Sequence, residues 1–173
     1  GGWTVGGVLR YQSGSLIGVP TSNNNLNAHV FQSTRMNRVS GEPLYLTDIN
    51  GHIDPYSQLV FNPRAWQDVP QGQWGPTTPF YSDFRNPRHP DEQFSIGRRF
   101  SMAKWREGMF FQVRAEFFNA FNRLHLANPG GAPNNATTVD NQGRLTGGFG
   151  RIDPTSTGGG LPRNGQLVAR FQF

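Results

Sequence analysis

Gln93-Phe-Ser-Ile-Gly-Arg-Arg-Phe-Ser-Met-Ala-Lys-Trp-Arg-Glu-Gly-Met-Phe-Phe-Gln-Val-Arg-Ala-Glu-Phe-Phe-Asn-Ala120 is the stretch that decides the fold. In its first third Phe94, Ile96, Phe100 and Met102 fall on one face, opposed by Gln93, Ser95, Gly97, Arg99 and Ser101. In its last third Met109, Phe111, Val113, Ala115 and Phe117 share a face. The other face there mixes Phe110 and Phe118 with Gln112, Arg114 and Glu116. Alternation at every second residue is the mark of a strand with two different surroundings. It predicts strands near 93–102 and 109–120, and the six residues Ala103 to Gly108, ending in glycine, suit a hairpin between them.

Two further segments alternate in the same way. Trp3, Val5, Gly7, Leu9 and Tyr11 oppose Thr4, Gly6, Val8, Arg10 and Gln12, which predicts a strand near 3–12. Leu167, Ala169, Phe171 and Phe173 oppose Gln166, Val168, Arg170 and Gln172, which predicts one near 165–173. The connections between these strands run long, short, long: 13–92, the hairpin, and 121–164. Such long connections are uncommon in compact domains but usual in transmembrane β-barrels, whose turns are short on one side and long on the other. The expected fold is therefore all-β: an antiparallel transmembrane barrel fragment of about four strands with two long extracellular loops. Within the loops, Asn62-Pro-Arg-Ala-Trp66 suits a short helical turn, and Asp140-Asn-Gln-Gly143 a hairpin turn.

Composition supports this class. Glycine (22) and proline (13) make up about a fifth of 173 residues, which disfavours long helices. Aromatics at 13% disfavour disorder. Cysteine is absent, which excludes disulfides, thiolate metal sites and cysteine nucleophiles. No run of 18 apolar residues suits a spanning helix. The net charge is +5, carried by arginine with Lys104 as the sole lysine. The arginines are scattered, so the footprint of a nucleic-acid binder is lacking. The chain opens on Gly1-Gly2-Trp3, with neither an initiator methionine nor a signal peptide, and is expected to be a piece of a longer protein.

Several stretches resemble, in order, the C-terminal part of TonB-dependent outer-membrane receptors of the Oar-like group. They are Trp3-Thr-Val-Gly-Gly-Val-Leu-Arg-Tyr-Gln-Ser-Gly14, Phe61-Asn-Pro-Arg-Ala-Trp66, Phe94-Ser-Ile-Gly-Arg-Arg-Phe100, Val113-Arg-Ala-Glu-Phe-Phe-Asn-Ala-Phe-Asn-Arg123, Phe149-Gly-Arg-Ile152 and Gln166-Leu-Val-Ala-Arg-Phe-Gln-Phe173. The resemblance covers 1–173 as one barrel portion. It implies a barrel of about 22 strands in the bacterial outer membrane, a plug domain lying outside this chain, and import energised through TonB. The implied partners are outer-membrane lipid, the remaining barrel and plug, the TonB complex and the barrel assembly machinery. Leu167, Ala169, Phe171 and Phe173 resemble the C-terminal signature that this machinery recognises.

Physical expectations follow for individual residues. Trp3 and Tyr11 lie about 26 Å apart along a strand and suit the two aromatic girdles of a barrel. Arg98 falls on the lipid face; it either snorkels to the periplasmic edge or marks a bulge at Gly97 that changes the register. Arg10, Arg99, Arg114, Glu116 and Arg170 are the polar candidates for the lumen face. Glu116 is expected near an arginine, with Arg99 on the neighbouring strand and Arg114 on its own as candidates. This set is either a polar ladder or part of a substrate path.

No catalytic set, cofactor or metal site is implied. Asp48-Ile-Asn-Gly-His-Ile-Asp54 lacks the sixth-position glycine and the twelfth-position glutamate of a calcium loop and suits a turn. His29, His52, His89 and His125 lack ligand spacing and become of interest only where they converge. Gly147-Gly-Phe-Gly150 is no phosphate loop. The competing function is a soluble extracellular β-sandwich that binds glycans through Trp66, Trp74 and Tyr81 as stacking platforms, but a sandwich should show strands every 8 to 12 residues.

Overall fold

The computed structural model describes residues 1–24, 34–156, 158 and 160–173. Among these the chain forms ten strands: β1 (Trp3–Arg10), β2 (Leu16–Gly18), β3 (Asn37–Arg38), β4 (Trp66–Gln67), β5 (Phe80–Arg85), β6 (Asp91–Ser101), β7 (Phe110–Phe118), β8 (Thr138–Val139), β9 (Leu145–Gly147) and β10 (Asn164–Gln172). Among the described residues there is one helical turn, a 3-10 turn at Pro63–Ala65 capped by the Asn62 side chain. The four long strands form one antiparallel sheet in the order β1-β6-β7-β10. Their ends lie within two residues of the limits the alternation predicts.

Register fixes the two faces. Trp3, Arg98 and Val113 lie in one row, as do Val5, Ile96, Ala115 and Leu167, and Gly7, Phe94 and Phe117. The apolar alternation is therefore continuous across all four strands. The β6–β7 ladder pairs every residue from Phe94 to Ser101 without a shift. The bulge once open at Gly97 is thus ruled out, and Arg98 stays on the apolar face. Its guanidinium lies 5.2 Å from the Trp3 ring centre and 4.8 Å from that of Phe100. The rings shield its charge close to the hairpin end of the sheet. That hairpin closes with Met102 N–H donating to Met109 O at 2.9 Å, and Gly108 takes a φ of 81°.

Side chains of the sheet are mostly exposed, and Val5 and Leu167 reach 74%. Among the described residues the outer edges of β1 and β10 carry no partner strand, so the four strands do not close on themselves. The apolar core of the chain lies elsewhere. Contacts divide the chain into a sheet unit (Gly1–Gln12, His89–His125, Gly159–Phe173) and a connection unit (Ser13–Arg88, Leu126–Gly158). In the connection unit Met36, Val60, Phe61, Ala65, Trp66, Phe84, Phe149 and Ile152 are buried together. Phe61 sits at the centre, its ring 5.0 Å from Phe84 and 5.3 Å from Phe149.

The sequence pattern predicts only loop here. The strands of this unit have two to six residues, too short for alternation to register, and except for the neighbouring β8 and β9 their partners lie far apart in the chain. Both long connections contribute. Val60 N–H donates to Gly150 O at 2.9 Å, and Gly150 N–H to Gly130 O at 2.7 Å. At Gly150 φ is 78°, and a side chain there would meet Phe61 N at 2.2 Å. Only glycine fits.

Phe61→Ala is expected to destabilise the connection unit by about 3–5 kcal/mol, the usual cost of emptying a buried phenylalanine site. Limited proteolysis of the full-length protein checks this: new cuts should fall within 13–88 and 126–158 and spare the sheet strands.

Candidate functional site

Two polar arrangements in the sheet unit stand apart from ordinary surface. The first lies where the long connections leave the sheet. Glu92 belongs to the same alternation as Phe94 and Ile96, yet it is fully buried. Arg123 Nε donates to its two carboxylate oxygens at 2.8 and 3.0 Å, and the Tyr11 hydroxyl donates to Oε1 at 2.6 Å. An arginine fork on a carboxylate is the strong, oriented form of such pairing.

The Asn119-Ala-Phe-Asn-Arg123 turn delivers that arginine. Asn119 and Asn122 both take left-handed backbone, with φ of 47° and 52°, a conformation asparagine tolerates better than most residues. Asn119 Oδ1 accepts from Arg123 N at 2.7 Å, and its Nδ2 donates to the carbonyls of Arg123 and Leu161 at 3.0 Å each. Tyr11 follows β1, Glu92 opens β6, Asn119 and Arg123 follow β7, and Leu161 precedes β10. One network therefore ties together all four strand ends. Glu92's hydrogen bond, with burial second, pushes the Tyr11 phenol up, and the Glu92 bond likewise raises Arg123.

The second arrangement is the polar face of the sheet. Arg10 pairs in register with Asp91. Arg114 forms an ion pair with Glu116 of its own strand, and Gln166 of β10 donates to the same carboxylate. Arg99 is not the partner of Glu116. It sits opposite Gln112, while Glu116 sits opposite Ser95. Arg170 is also opposite Gln112, from the other side. The guanidinium of Arg99 lies 3.7 Å from the Phe110 ring centre and that of Arg170 lies 6.0 Å from it. Leu167, Ala169 and Phe171 share the opposite, apolar face of β10, Phe173 follows the strand, and all four are exposed.

The aromatic platforms fare unequally. Trp66 is buried, its ring 5.2 Å from Phe84 and 6.1 Å from Tyr81, so it is a core residue and no ligand surface. Tyr81 is half-buried and has Arg38 over its ring at 5.1 Å. Trp74 is exposed. Arg38 grips both oxygens of Asp83, at 3.1 and 2.7 Å.

Of the histidines, His89 and His125 converge, stacked 5.0 Å apart, with His125 Nε2 3.1 Å from Pro90 O. Burial first, and then His125, lowers the His89 pKa. His52 is exposed, and His29 lies outside the described residues. Among the described residues no three potential ligands gather at one point. Asp48 and Asp54 each accept a backbone N–H two residues on, at 3.0 Å, as turn residues do.

Alternation in the sequence reveals the polar face, but not the Glu92 network. Its members lie 31 and 81 residues apart. The available signal is a glutamate placed out of phase, on the face its neighbours keep apolar.

The sequence profile of a family described as outer membrane beta barrel domain matches residues 1–166. No curated protein and no solved structure matches the chain.

Two outcomes are expected. Arg123→Met should lower the temperature at which the full-length protein loses its heat-modifiable mobility more than Glu92→Gln does, because only the first strands a buried charge. The second concerns Asp83, whose carboxyl is held below the usual range by the Arg38 hydrogen bond. Its stabilisation is present above the unfolded value of about 3.9 and lost as pH falls through the folded value. Near-ultraviolet dichroism of Tyr81 should change over that acid window, and Asp83→Asn should show the acid spectrum at neutral pH.

Proposed function

The chain belongs to this outer membrane beta barrel family, and from that premise we propose that it forms the C-terminal barrel wall and two extracellular connections of a TonB-dependent receptor importing a ligand. It is a protein of the bacterial outer membrane. The observation that carries the proposal is the asymmetry of the sheet. The β6–β7 hairpin closes one end with a short turn, while residues 11–90 and 119–163 leave from the other. In outer-membrane barrels short turns face the periplasm and long loops face outward.

On this reading the apolar face, from Trp3 to Phe171, meets lipid, and the arginine-bearing face lines the lumen beside a plug supplied by the rest of the protein. Arg98 then lies towards the periplasmic interface, where an arginine costs little. The long connections form the outer receptor surface, with Trp74 and Tyr81 as candidate ligand contacts. The role is transport rather than catalysis, with TonB as the energising partner.

Full-length protein is expected to fractionate with outer membranes, to run as a heat-modifiable band, and to be retained by immobilised TonB C-terminal domain. A folded, membrane-bound protein that TonB does not retain would reduce the reading to a barrel without energised import.

A further inference from the structure

We infer that Arg99, Gln112 and Arg170 form an anion-binding site on the polar wall, suited to an oxyanion such as a carboxylate or phosphate. The inference rests on the barrel reading only in taking this face as the lumen. Four arginines and two carboxylates occupy the face. Glu116 is taken by Arg114 and Gln166. Asp91, which accepts from Gln93 Nε2 at 3.0 Å, is the register neighbour of Arg10 and sets a negative charge beside it. No carboxylate of the face stands opposite Arg99 or Arg170, both of which face Gln112. Arg99 and Arg170 are left without a carboxylate partner among the described residues. The surplus positive charge of the wall is therefore concentrated at these two positions.

Their placement is specific. Both flank Gln112 in one row, on the strands to either side of it, so their backbones stand roughly 10 Å apart at about 4.8 Å per strand. Both reach over Phe110 in the next row towards the hairpin. Phe110 is the buried apolar residue of the sheet unit, whereas the other buried apolar residues described all belong to the connection unit. The ring faces hold the two guanidiniums by cation–π attraction. Arg170 is further steadied by Gln172, whose Oε1 accepts from it at 3.3 Å. Two anchored planar forks with an amide between them match the oxygens of one anion.

The anion has two possible sources: a diffusible oxyanion, or a carboxylate carried by the segment that fills the barrel. The test uses detergent-solubilised full-length protein, with inorganic phosphate as the probe. The variants are Arg99→Gln/Arg170→Gln, Phe110→Leu, and Lys104→Gln/Arg106→Gln as a charge-matched control. If the anion is diffusible, wild type binds phosphate, the paired glutamine variant binds about tenfold more weakly, and the control matches wild type. If it is an internal carboxylate, phosphate does not bind. The unfolding temperature of wild type then falls between about 50 and about 500 mM salt, and that of the paired variant does not.

Phe110→Leu, which keeps both charges but removes their anchor, should fall between wild type and the paired variant in either case. It carries the test if the paired variant fails to fold. Phosphate binding that is equal in all proteins, or salt dependence that neither substitution changes, would overturn the site. Heat-modifiability and outer-membrane fractionation of the same samples score the barrel reading separately. A folded wild-type barrel without the effect removes the site alone.

Discussion

A strand in hydrocarbon has no water to satisfy its amides, so each backbone donor and acceptor must find a partner in the next strand. Everything in the sheet unit follows from that constraint. Strands must be long, in unbroken register and regular, and side chains must then alternate between two surroundings. The continuous β1-β6-β7-β10 ladder meets this condition along its three internal seams. It also explains why glycine is tolerated at Gly7, where the Phe94 ring lies at 3.1 Å from the place of the missing side chain. The ring covers backbone that would otherwise be bare on the apolar face.

The same chain handles apolar residues in two opposite ways. In the sheet unit Val5, Leu9, Ile96 and Leu167 point away from the protein and remain exposed. In the connection unit Phe61, Phe84, Met36 and Ile152 are excluded from solvent. The first arrangement is stable only with lipid as the solvent, and the second only with water around it. Their coexistence in 173 residues accounts for a composition that is aromatic yet modest in total hydrophobicity.

Sequence and structure agree most where the physics is local. The four long strands, the Gly108 hairpin, the Asn62 cap and the Asp140 turn each leave a signal within a dozen residues. The rest is long-range. Trp66 reads as a surface aromatic because nothing near it in sequence reveals Phe84, eighteen residues on, as its packing partner. Arg99 and Arg114 read alike as partners for Glu116 because alternation gives faces but not rows. The register that sets Arg99 opposite Gln112, and so leaves Glu116 to Arg114 of its own strand, is fixed only by the assembled ladder. The Glu92 network is hidden for the same reason, although an acidic residue on an apolar face marks where to look.

Gly150 has a consequence in evolutionary terms. Its backbone comes from the second long connection, and the Phe61 backbone it abuts comes from the first. Neither connection can therefore diversify freely. A recombination event that imported one of them from a distant relative would set a foreign side chain against Phe61, or leave a glycine facing a gap. Exchange of both together would carry the shared core intact. Variation in the outward surface of this protein should accordingly be inherited as paired blocks, separated in the gene by the segment that encodes the β6–β7 hairpin.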